Sequence, residues 1–167
     1  KATKAAMGNA YTDGDVDEVV FRLADQGRMG RKAKAGFYDY DEAGKRQGLW
    51  SGLDSEWPVS DAQPELTEVQ HRLMFAQSLE AVRALEDGVL EDIREGDVGA
   101  ILGWGFAPWS GGPFGWLDML GAARAVEIAE GLARKFGPRF AAPQLLKNMA
   151  AKGESFYGRV STGKQAA

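Results

Sequence analysis

Residues 66–88 read LTEVQHRLMFAQSLEAVRALEDG and carry the longest helical pattern in the chain. Apolar side chains recur there every three or four residues, the spacing that places them on one face of an α-helix. These positions are Leu66, Val69, Leu73, Ala76, Leu79, Val82 and Leu85, and Met74 and Phe75 widen the stripe. The pattern ends at Gly88, a residue type that commonly terminates helices. The stretch therefore predicts a long amphipathic helix that buries one face against other elements.

Upstream of this stretch, the sequence predicts one short helix, a loop and a linker. Residues 13–15 (Asp-Gly-Asp) are of helix-start type, and a helical pattern follows them and ends near Gly27. Its apolar positions are Val16, Val19, Val20 and Leu23. Residues 28–53 show no helical period and contain five glycines, so we expect a loop there. Residues 54–64 are polar and contain two prolines, which predicts a boundary between two structural units near residue 60.

Downstream, the sequence predicts three further helices. Asp97 is expected to cap the first, the second begins near Phe114, and the third follows Pro143. Their apolar positions are Val98, Ile101 and Leu102, then Leu117, Leu120, Ile128, Leu132 and Phe136, and finally Leu145, Leu146 and Met149. No segment of the sequence alternates as a β-strand would, so the helices have to bury their stripes against one another. The predicted fold class is all-α, with a disordered tail at residues 161–167.

Composition and charge exclude several classes of protein. A chain of 167 residues that is 44% hydrophobic has enough apolar material for one domain, or for one domain and part of another. Its 20 basic and 24 acidic residues are mixed along the sequence and give a net charge of −4, so we expect no nucleic-acid partner. The lack of cysteine and the single histidine exclude disulfides, a thiol nucleophile and the usual Cys/His zinc site, and no metal is expected.

The sequence also lacks the signals of membrane insertion and secretion. No apolar run reaches the roughly 18 to 20 residues that a membrane-spanning helix requires, and no signal peptide follows Lys1. We therefore expect a protein without a membrane span, located in the cytoplasm. Because the chain begins with Lys1 rather than methionine, we expect it to be a piece of a longer polypeptide.

A loop rich in basic residues, named here the basic loop, occupies residues 28–40 with the sequence RMGRKAKAGFYDY. It joins four basic side chains to a glycine-containing turn and an aromatic pair, a composition that can meet the phosphates of a CoA-like ligand. Its candidate site residues are Arg28, Arg31, Lys32, Gly36, Phe37 and Tyr38. Two other interpretations stay open: a solvated basic turn fastened by the aromatic residues, or a set of ion pairs with an acidic neighbouring domain.

A second unusual segment, the aromatic loop, covers residues 105–114 with the sequence GFAPWSGGPF. Aromatic side chains alternate there with glycines and prolines, which free or restrict the backbone and favour a fixed shape. One interpretation is a turn between two helices, with Phe106 and Trp109 filling the core and Pro113 starting the next helix. The other is a loop that lines an acyl pocket or an interface. The candidate site residues are Gly105, Phe106, Pro108, Trp109, Gly112 and Pro113.

His71 is the only histidine and lies inside the predicted long helix. Because imidazole titrates near neutral pH, it is the one ready general base, and we retain it as a weak candidate. A lone histidine on a helix is more often structural. The sequence shows no nucleophile beside a base, no carboxylate pair at a diagnostic spacing and no glycine fingerprint after a strand. We therefore assign no catalytic residue.

The two loops carry motifs that resemble the C-terminal domains of 3-hydroxyacyl-CoA dehydrogenases. Residues 27–40 look like that family's G-R-x-G-R-K-T-G-x-G-F-Y-x-Y segment, although residues 33–35 (Ala-Lys-Ala) stand where the family commonly shows Thr, Gly and a variable residue. Residues 71–113 resemble its R-L-L…E-A…D-x-G…G-F-P-P-W-x-G-G-P pattern. The likeness spans roughly residues 15–158 and points especially to multifunctional α-subunits, which join enoyl-CoA hydratase and dehydrogenase on one chain.

The resemblance implies a packed-helix fold like the 6-phosphogluconate-dehydrogenase-type C-terminal domain of these enzymes. It implies that residues 1–60 hold the tail of a first helical repeat and a linker, and that residues 61–160 form a second repeat packed against the first. In the family, the catalytic His and Glu and the NAD-binding glycines belong to a Rossmann domain, so NAD is assigned to that missing domain and not to this chain. An Asn that assists catalysis opens the first repeat. His71 falls near the equivalent position of the second repeat, which does not face the chemistry.

The implied activity is the oxidation of (S)-3-hydroxyacyl-CoA to 3-ketoacyl-CoA with NAD in fatty-acid β-oxidation. The chain itself is expected to be structural, to cover the substrate, to form interfaces and to be inactive alone. The implied partners are the acyl-CoA substrate, the N-terminal domains of the parent chain and a thiolase subunit. The alternative is a stand-alone helical assembly or acyl-CoA-binding module without catalysis.

Overall fold

The structure, a computed structural model, describes residues 2–11 and 14–158. The chain divides between Gln63 and Pro64 into an N-terminal unit (Lys1–Gln63) and a C-terminal unit (Pro64–Ala167). The assignment of these units to two helical repeats stays a prediction. The predicted helix start at Asp13 and the predicted tail at residues 161–167 lie outside the described residues.

Three α-helices and a two-stranded sheet make up the described part of the N-terminal unit. The helices are α1 (Ala2–Met7), α2 (Gly14–Asp25) and α3 (Leu53–Glu56), and the strands are β1 (Tyr38–Tyr40) and β2 (Arg46–Leu49). Single helical turns at Gly8–Ala10 and Arg31–Ala33 lie between them. Helix α2 confirms the short helix predicted upstream, and Leu23 on its apolar face is buried.

The two strands form an antiparallel hairpin inside the segment predicted to be a loop, so the prediction of no strand is wrong there. Tyr38 pairs with Leu49 and Tyr40 pairs with Arg46, with an irregularity in register between the two pairs. The strands span only 3 and 4 residues, which is too short to show an alternating pattern in the sequence. Gly44 in the connecting turn adopts φ 73°, a conformation that glycine reaches without strain.

Five α-helices form the described part of the C-terminal unit. They are α4 (Leu66–Glu86), α5 (Ile93–Trp104), α6 (Pro113–Leu120), α7 (Ala122–Phe136) and α8 (Gln144–Lys152). The buried side chains of this unit form a hydrophobic core that includes Phe75, Leu79, Val82, Phe106, Phe114, Leu117, Leu146 and Met149. The predicted all-α class is thus confirmed. Among the helices in the described ranges, none combines the length and apolar character needed to cross a membrane.

Helix α4 matches the predicted long helix in its bounds but not in all of its buried positions. Leu79 and Val82 are buried as predicted, and Phe75 is buried with them. Leu66 and Leu73 are exposed, contrary to the prediction. The core of this unit therefore covers only part of the apolar stripe of α4, and Leu66 and Leu73 lie outside the covered part.

The predicted start of α5 at Asp97 is wrong. The helix begins at Ile93, and its N-cap is Asp92, whose carboxylate accepts a hydrogen bond of 2.8 Å from the backbone N–H of Arg94. Asp97 lies inside the helix with its side chain buried. An acidic residue before an apolar run resembles a cap in sequence, whereas the real partners of Asp97 are distant in the chain.

The helix predicted to begin near Phe114 is in fact two helices, α6 and α7, which meet at Gly121. This glycine adopts φ 81°, so the chain changes direction there instead of continuing α6. Pro113 is the first residue of α6, as predicted from its missing N–H. Helix α8 follows Pro143, also as predicted.

Candidate functional site

The basic loop is closed by two glycines whose backbones nearly touch. The backbone N–H of Gly30 donates a hydrogen bond of 2.6 Å to the carbonyl of Ala35. Gly30 adopts φ 97°, and a Cβ atom on Gly36 would lie 2.9 Å from the Cα atom of Gly30. Gly30 is therefore needed for its backbone conformation, and Gly36 is needed because a side chain has no space.

Arg28 fastens this loop from inside. Its Nε donates a hydrogen bond of 2.8 Å to the carbonyl of Gly36, and its Nη2 lies 2.5 Å from Oδ1 of Asp39. The guanidinium also stacks over Trp50, 4.2 Å from the ring centre. Because the Arg28 side chain is only 12% exposed and its charge is already paired within the loop, it holds the loop together and is poorly placed to meet a phosphate.

Arg31 and Lys32 are the predicted basic residues that remain accessible. Both side chains are exposed. The Nε of Arg31 donates a hydrogen bond of 3.0 Å to the carbonyl of Gly44 in the hairpin turn. Within the described part of the chain, Lys32 has no hydrogen-bond or carboxylate partner. A ligand can therefore reach these two charges but not that of Arg28.

An apolar cavity of about 420 Å³ lies between α2 and the basic loop. It brings together four of the predicted residues, Arg28, Gly36, Phe37 and Tyr38. Phe37 is 45% exposed, whereas Tyr38 is half-buried beneath the guanidinium of Arg46, which lies 4.6 Å from its ring centre. The cavity can receive an apolar group, while the Arg28 charge on its wall is already paired with Asp39.

The aromatic loop sends its two large side chains in opposite directions. Phe106 is 2% exposed and packs in the core, as predicted. Trp109 is 71% exposed, so the prediction that it fills the core is wrong. The turn Pro108–Ser110 is held by Ser110, whose Oγ donates a hydrogen bond of 2.6 Å to the carbonyl of Ala107. The loop thus both turns the chain and presents an indole ring at the surface.

A buried carboxylate holds the end of this loop. Oδ1 of Asp97 accepts a hydrogen bond of 2.8 Å from the backbone N–H of Phe114, and Oδ2 accepts one of 3.1 Å from that of Gly115. The Tyr157 hydroxyl donates a further bond of 2.8 Å to Oδ2. Burial raises the pKa of Asp97, although each of these hydrogen bonds acts in the opposite direction. Asp97 therefore caps the first turn of α6 from a different helix.

His71 and Trp109, two of the predicted residues, line one cavity of about 290 Å³ in the C-terminal unit. The rest of its wall is largely apolar and includes Met74, Trp116 and Leu120. The His71 ring packs edge-on against Phe75, with the ring centres 5.9 Å apart. Burial, and to a smaller extent the charge of Arg124, lowers the pKa of His71, so the imidazole is largely neutral at pH 7.

Neither cavity holds the groups of a catalytic centre among the residues that the structure describes. The wall of the His71 cavity has no hydroxyl, thiol or carboxylate side chain beside the imidazole. Across residues 2–11 and 14–158, no group of three His, Asp or Glu side chains is placed to hold a metal ion. The arrangement suits binding and packing.

Comparison with known proteins gives the family. Residues 69–162 match the family model described as 3-hydroxyacyl-CoA dehydrogenase, C-terminal domain. The chain belongs to the 3-hydroxyacyl-CoA dehydrogenase family. A relative, the fatty acid oxidation complex subunit alpha of Shewanella amazonensis, is 43% identical over 141 residues, which cover 81% of this chain. The chain spans 20% of that relative's length. The resemblance inferred from the two loop motifs is thereby confirmed.

The Asp and Gly-Gly-Pro positions of the 3-hydroxyacyl-CoA dehydrogenase pattern have a shared structural basis in this chain. Gly112 adopts φ 107°, and a Cβ atom there would lie 2.4 Å from the Cβ of Asp97. Pro113 has no backbone N–H that would require an acceptor. The N–H groups of the next two residues, Phe114 and Gly115, donate hydrogen bonds to the Asp97 carboxylate. The sequence contained this signal as an acidic residue at a set distance from Gly-Gly-Pro, but the contact could not be inferred without the fold.

At Lys34 this chain departs from the 3-hydroxyacyl-CoA dehydrogenase pattern, and the departure places a residue with a side chain in a left-handed backbone conformation. The family commonly shows glycine at this position, and Lys34 adopts φ 55°. This left-handed conformation costs a residue with a Cβ atom more than it costs glycine. Lys34 forms an ion pair with Glu42, which partly offsets that cost.

Proposed function

We propose that this chain is the C-terminal helical part of an NAD-dependent 3-hydroxyacyl-CoA dehydrogenase of fatty-acid β-oxidation. The parent enzyme oxidises (S)-3-hydroxyacyl-CoA to 3-ketoacyl-CoA in the cytoplasm and carries enoyl-CoA hydratase on the same polypeptide. NAD accepts the hydride on a Rossmann domain, which also supplies the catalytic His and Glu. This chain completes the fold, covers the substrate and forms interfaces, and it is inactive alone.

An exposed apolar surface on the C-terminal unit supports this proposal most directly. Trp104 donates a hydrogen bond of 3.0 Å from Nε1 to Oε1 of Gln77, and Gln77 donates one of 3.1 Å to the carbonyl of Leu73. Leu73 and Trp109 line the same cavity. These three apolar side chains, named here the tryptophan surface, are all largely exposed: Leu73, Trp104 and Trp109. Exposed tryptophans of this kind are typical of interfaces.

The proposed partner of the tryptophan surface is another part of the parent enzyme. Val98 and Leu102 on α5 extend the apolar character of this unit, and Leu102 is 80% exposed. Such side chains are stabilised when a second apolar surface covers them. The N-terminal domains of the same polypeptide are the proposed cover, and a thiolase subunit is a further proposed partner.

The two loops are the proposed contact points with the acyl-CoA substrate or with those domains. Among the candidate site residues of the basic loop, the exposed ones are Arg31, Lys32 and Phe37. In the aromatic loop the accessible candidates are Gly105, Pro108 and Trp109, while Phe106, Gly112 and Pro113 are buried. The name of the Shewanella relative supports the placement in fatty-acid oxidation.

A chimeric enzyme tests the proposal. The segment of the Shewanella subunit that matches this chain is replaced by the chain, and NADH formation from (S)-3-hydroxyacyl-CoA is followed by absorbance. The chimera should be active and the isolated chain should not. Leu73→Glu combined with Trp109→Glu should reduce the activity or assembly of the chimera, because charges then face the covering surface. Lys152→Glu, at the exposed end of α8, is the matched control and should have little effect.

Two outcomes would contradict the proposal. One is turnover of the substrate by the isolated chain. The other is a chimera that is folded, as judged by circular dichroism and gel filtration, but has no dehydrogenase activity. The second outcome favours a stand-alone helical assembly or an acyl-CoA-binding module, and tight binding of acyl-CoA to the isolated chain would identify the binding module.

A further inference from the structure

The hairpin region of the N-terminal unit carries more positive charge than its own carboxylates balance. Residues 28–46 contain six Lys or Arg and three Asp or Glu, although the chain as a whole has a net charge of −4. Asp39 is paired with Arg28, and Glu42 is paired with Lys34. The negative charges of Asp39 and Glu42 are therefore already neutralised by Arg28 and Lys34, both of which precede the hairpin in the chain.

The third carboxylate, Asp41, holds the hairpin turn. Its Oδ1 accepts a hydrogen bond of 2.9 Å from the backbone N–H of Lys45, and its Oδ2 accepts one of 2.8 Å from the side chain of Gln47. Four basic side chains are left without a carboxylate partner in the described part of the chain: Arg31, Lys32, Lys45 and Arg46. All four are exposed and thus reachable by an anion.

Three of these charges line one shallow cavity of about 450 Å³, named here the cationic pocket: Arg31, Lys45 and Arg46, with Tyr40 beside them. The hydrogen bond from Arg31 to the Gly44 carbonyl holds its guanidinium next to Lys45 in the turn. Arg46 pairs with Tyr40 across the hairpin and stacks over Tyr38. These contacts order both arginines before any ligand arrives, which lowers the entropic cost of binding.

We propose that the cationic pocket binds the phosphates of a nucleotide. Arginine side chains meet phosphate oxygens with paired N–H donors, and Lys45 adds a mobile point charge. The Tyr40 ring offers an apolar face to the sugar or base. The wall has no acidic side chain among the described residues, so a bisphosphate meets no like charge there. Naming this nucleotide as the phosphorylated adenosine end of an acyl-CoA rests on the proposed function.

The pocket differs from the phosphate site suggested by the basic loop alone. Arg28 is paired internally and does not belong to it, whereas Lys45 and Arg46 come from the turn and the return strand. The ligand is thus expected on the hairpin face that carries the turn residue Gly44, and not in the apolar cavity lined by Phe37.

Calorimetric titration of the full 167-residue chain with adenosine 3′,5′-bisphosphate tests the proposal. The triple variant R31Q/K45Q/R46Q should lose at least about tenfold in affinity, because three phosphate contacts are removed. The control R134Q/R139Q/K152Q makes the same charge change on exposed side chains of the C-terminal unit and should change affinity less than about twofold at physiological salt.

The single variant K45Q breaks no contact within the hairpin and should lose about threefold in affinity. It keeps the test interpretable if the triple variant does not fold. Glu42→Gln should strengthen binding, since it removes a nearby carboxylate.

Three results would overturn the proposal. The first is equal affinity of the triple variant and the wild type, and the second is an equal loss in the control variant. The third is inorganic phosphate binding as tightly as the bisphosphate, which would assign the pocket to phosphate alone. The readout does not depend on dehydrogenase activity. An active chimera whose chain binds no nucleotide therefore contradicts this inference alone, and nucleotide binding with an inactive chimera contradicts the proposed function alone.

Discussion

The hydroxyl of Tyr157 donates a hydrogen bond of 2.8 Å to the carboxylate of Asp97, which lies 60 residues earlier in the chain. The backbone N–H of Tyr157 bonds to Oδ2 of Asp118 at 2.9 Å, and that of Phe156 bonds to Oδ1 at 2.8 Å. Carboxylates on α5 and α6 thus hold the residues that follow α8. The end of the described chain is part of the folded structure of the C-terminal unit and not an appendage.

Tyr157→Phe should destabilise the C-terminal unit by about 1–2 kcal/mol, because Asp97 loses a donor at a buried carboxylate oxygen. Urea unfolding followed by tryptophan fluorescence measures this change. A double-mutant cycle with Asp97→Asn separates the pair from other effects, and the two changes should be less than additive. Full additivity would show that the Tyr157–Asp97 hydrogen bond contributes nothing.

The same tyrosine should make stability depend on alkaline pH. Burial, followed by the hydrogen bond to Asp97, raises the pKa of Tyr157 from 10.0 to about 12. Since the folded chain holds this proton more tightly than the unfolded chain, the contribution is complete below pH 10.0 and is lost as the pH rises toward about 12. Urea titrations across this range should show a steeper loss of unfolding free energy for the wild type than for Tyr157→Phe. Parallel pH curves would contradict the prediction.

Gly112→Ala should cost the C-terminal unit about 3 kcal/mol or more, because the new Cβ meets Asp97 and the residue keeps a left-handed backbone. Gly99 is the matched control, since it lies on the exposed side of α5 with open space around it. Gly99→Ala should stabilise the unit by about 0.5–1 kcal/mol, as alanine does within helices. Thermal unfolding by circular dichroism compares the two, and similar effects of both changes would refute the steric explanation.

Lys34→Gly should stabilise the N-terminal unit by up to about 1 kcal/mol, since glycine adopts φ 55° without the Cβ penalty. The lost ion pair with Glu42 is a small cost, because the Glu42 side chain is 96% exposed. Lys34→Asn should be close to neutral, and Lys34→Val should destabilise. Lys32→Gly, two residues earlier and in ordinary backbone conformation, is the control and should give no gain. Destabilisation by Lys34→Gly would mean that the Glu42 pair outweighs the backbone strain.

Sequence patterns predicted the helices whose signals lie in neighbouring residues. Local residue types determine where these helices begin or end. Examples are the bounds of α4, the start of α6 at Pro113 and the start of α8 after Pro143. The role of Asp97 could not be predicted in this way, because its partners Phe114 and Tyr157 lie 17 and 60 residues away. In the sequence, a residue that caps a distant helix cannot be distinguished from one that caps the helix directly after it.

In the candidate site, too, features that depend on neighbouring residues could be predicted, and features that depend on distant residues could not. The glycine-containing turn of the basic loop, with Gly36 as a candidate residue, was predictable because tight turns select glycine for local reasons. The pairing of Arg28 with Trp50 and Asp39 requires the hairpin, which is too short to recognise from sequence. Periodicity also could not tell whether Trp109 faces the core or a partner, because both uses select a large aromatic side chain.

The contact between Asp97 and the first turn of α6 also limits how relatives can diverge in length. One residue added or removed between Asp97 and Gly112 would displace the carboxylate from the two N–H groups that it serves. At the boundary between Gln63 and Pro64, the side-chain hydrogen bonds of the described residues are local ones, which join Ala62 and Gln63 to Ser60. Across natural relatives, insertions and deletions should therefore gather near this boundary. The fifteen-residue interval from Asp97 to Gly112 should keep a constant length even where its sequence drifts.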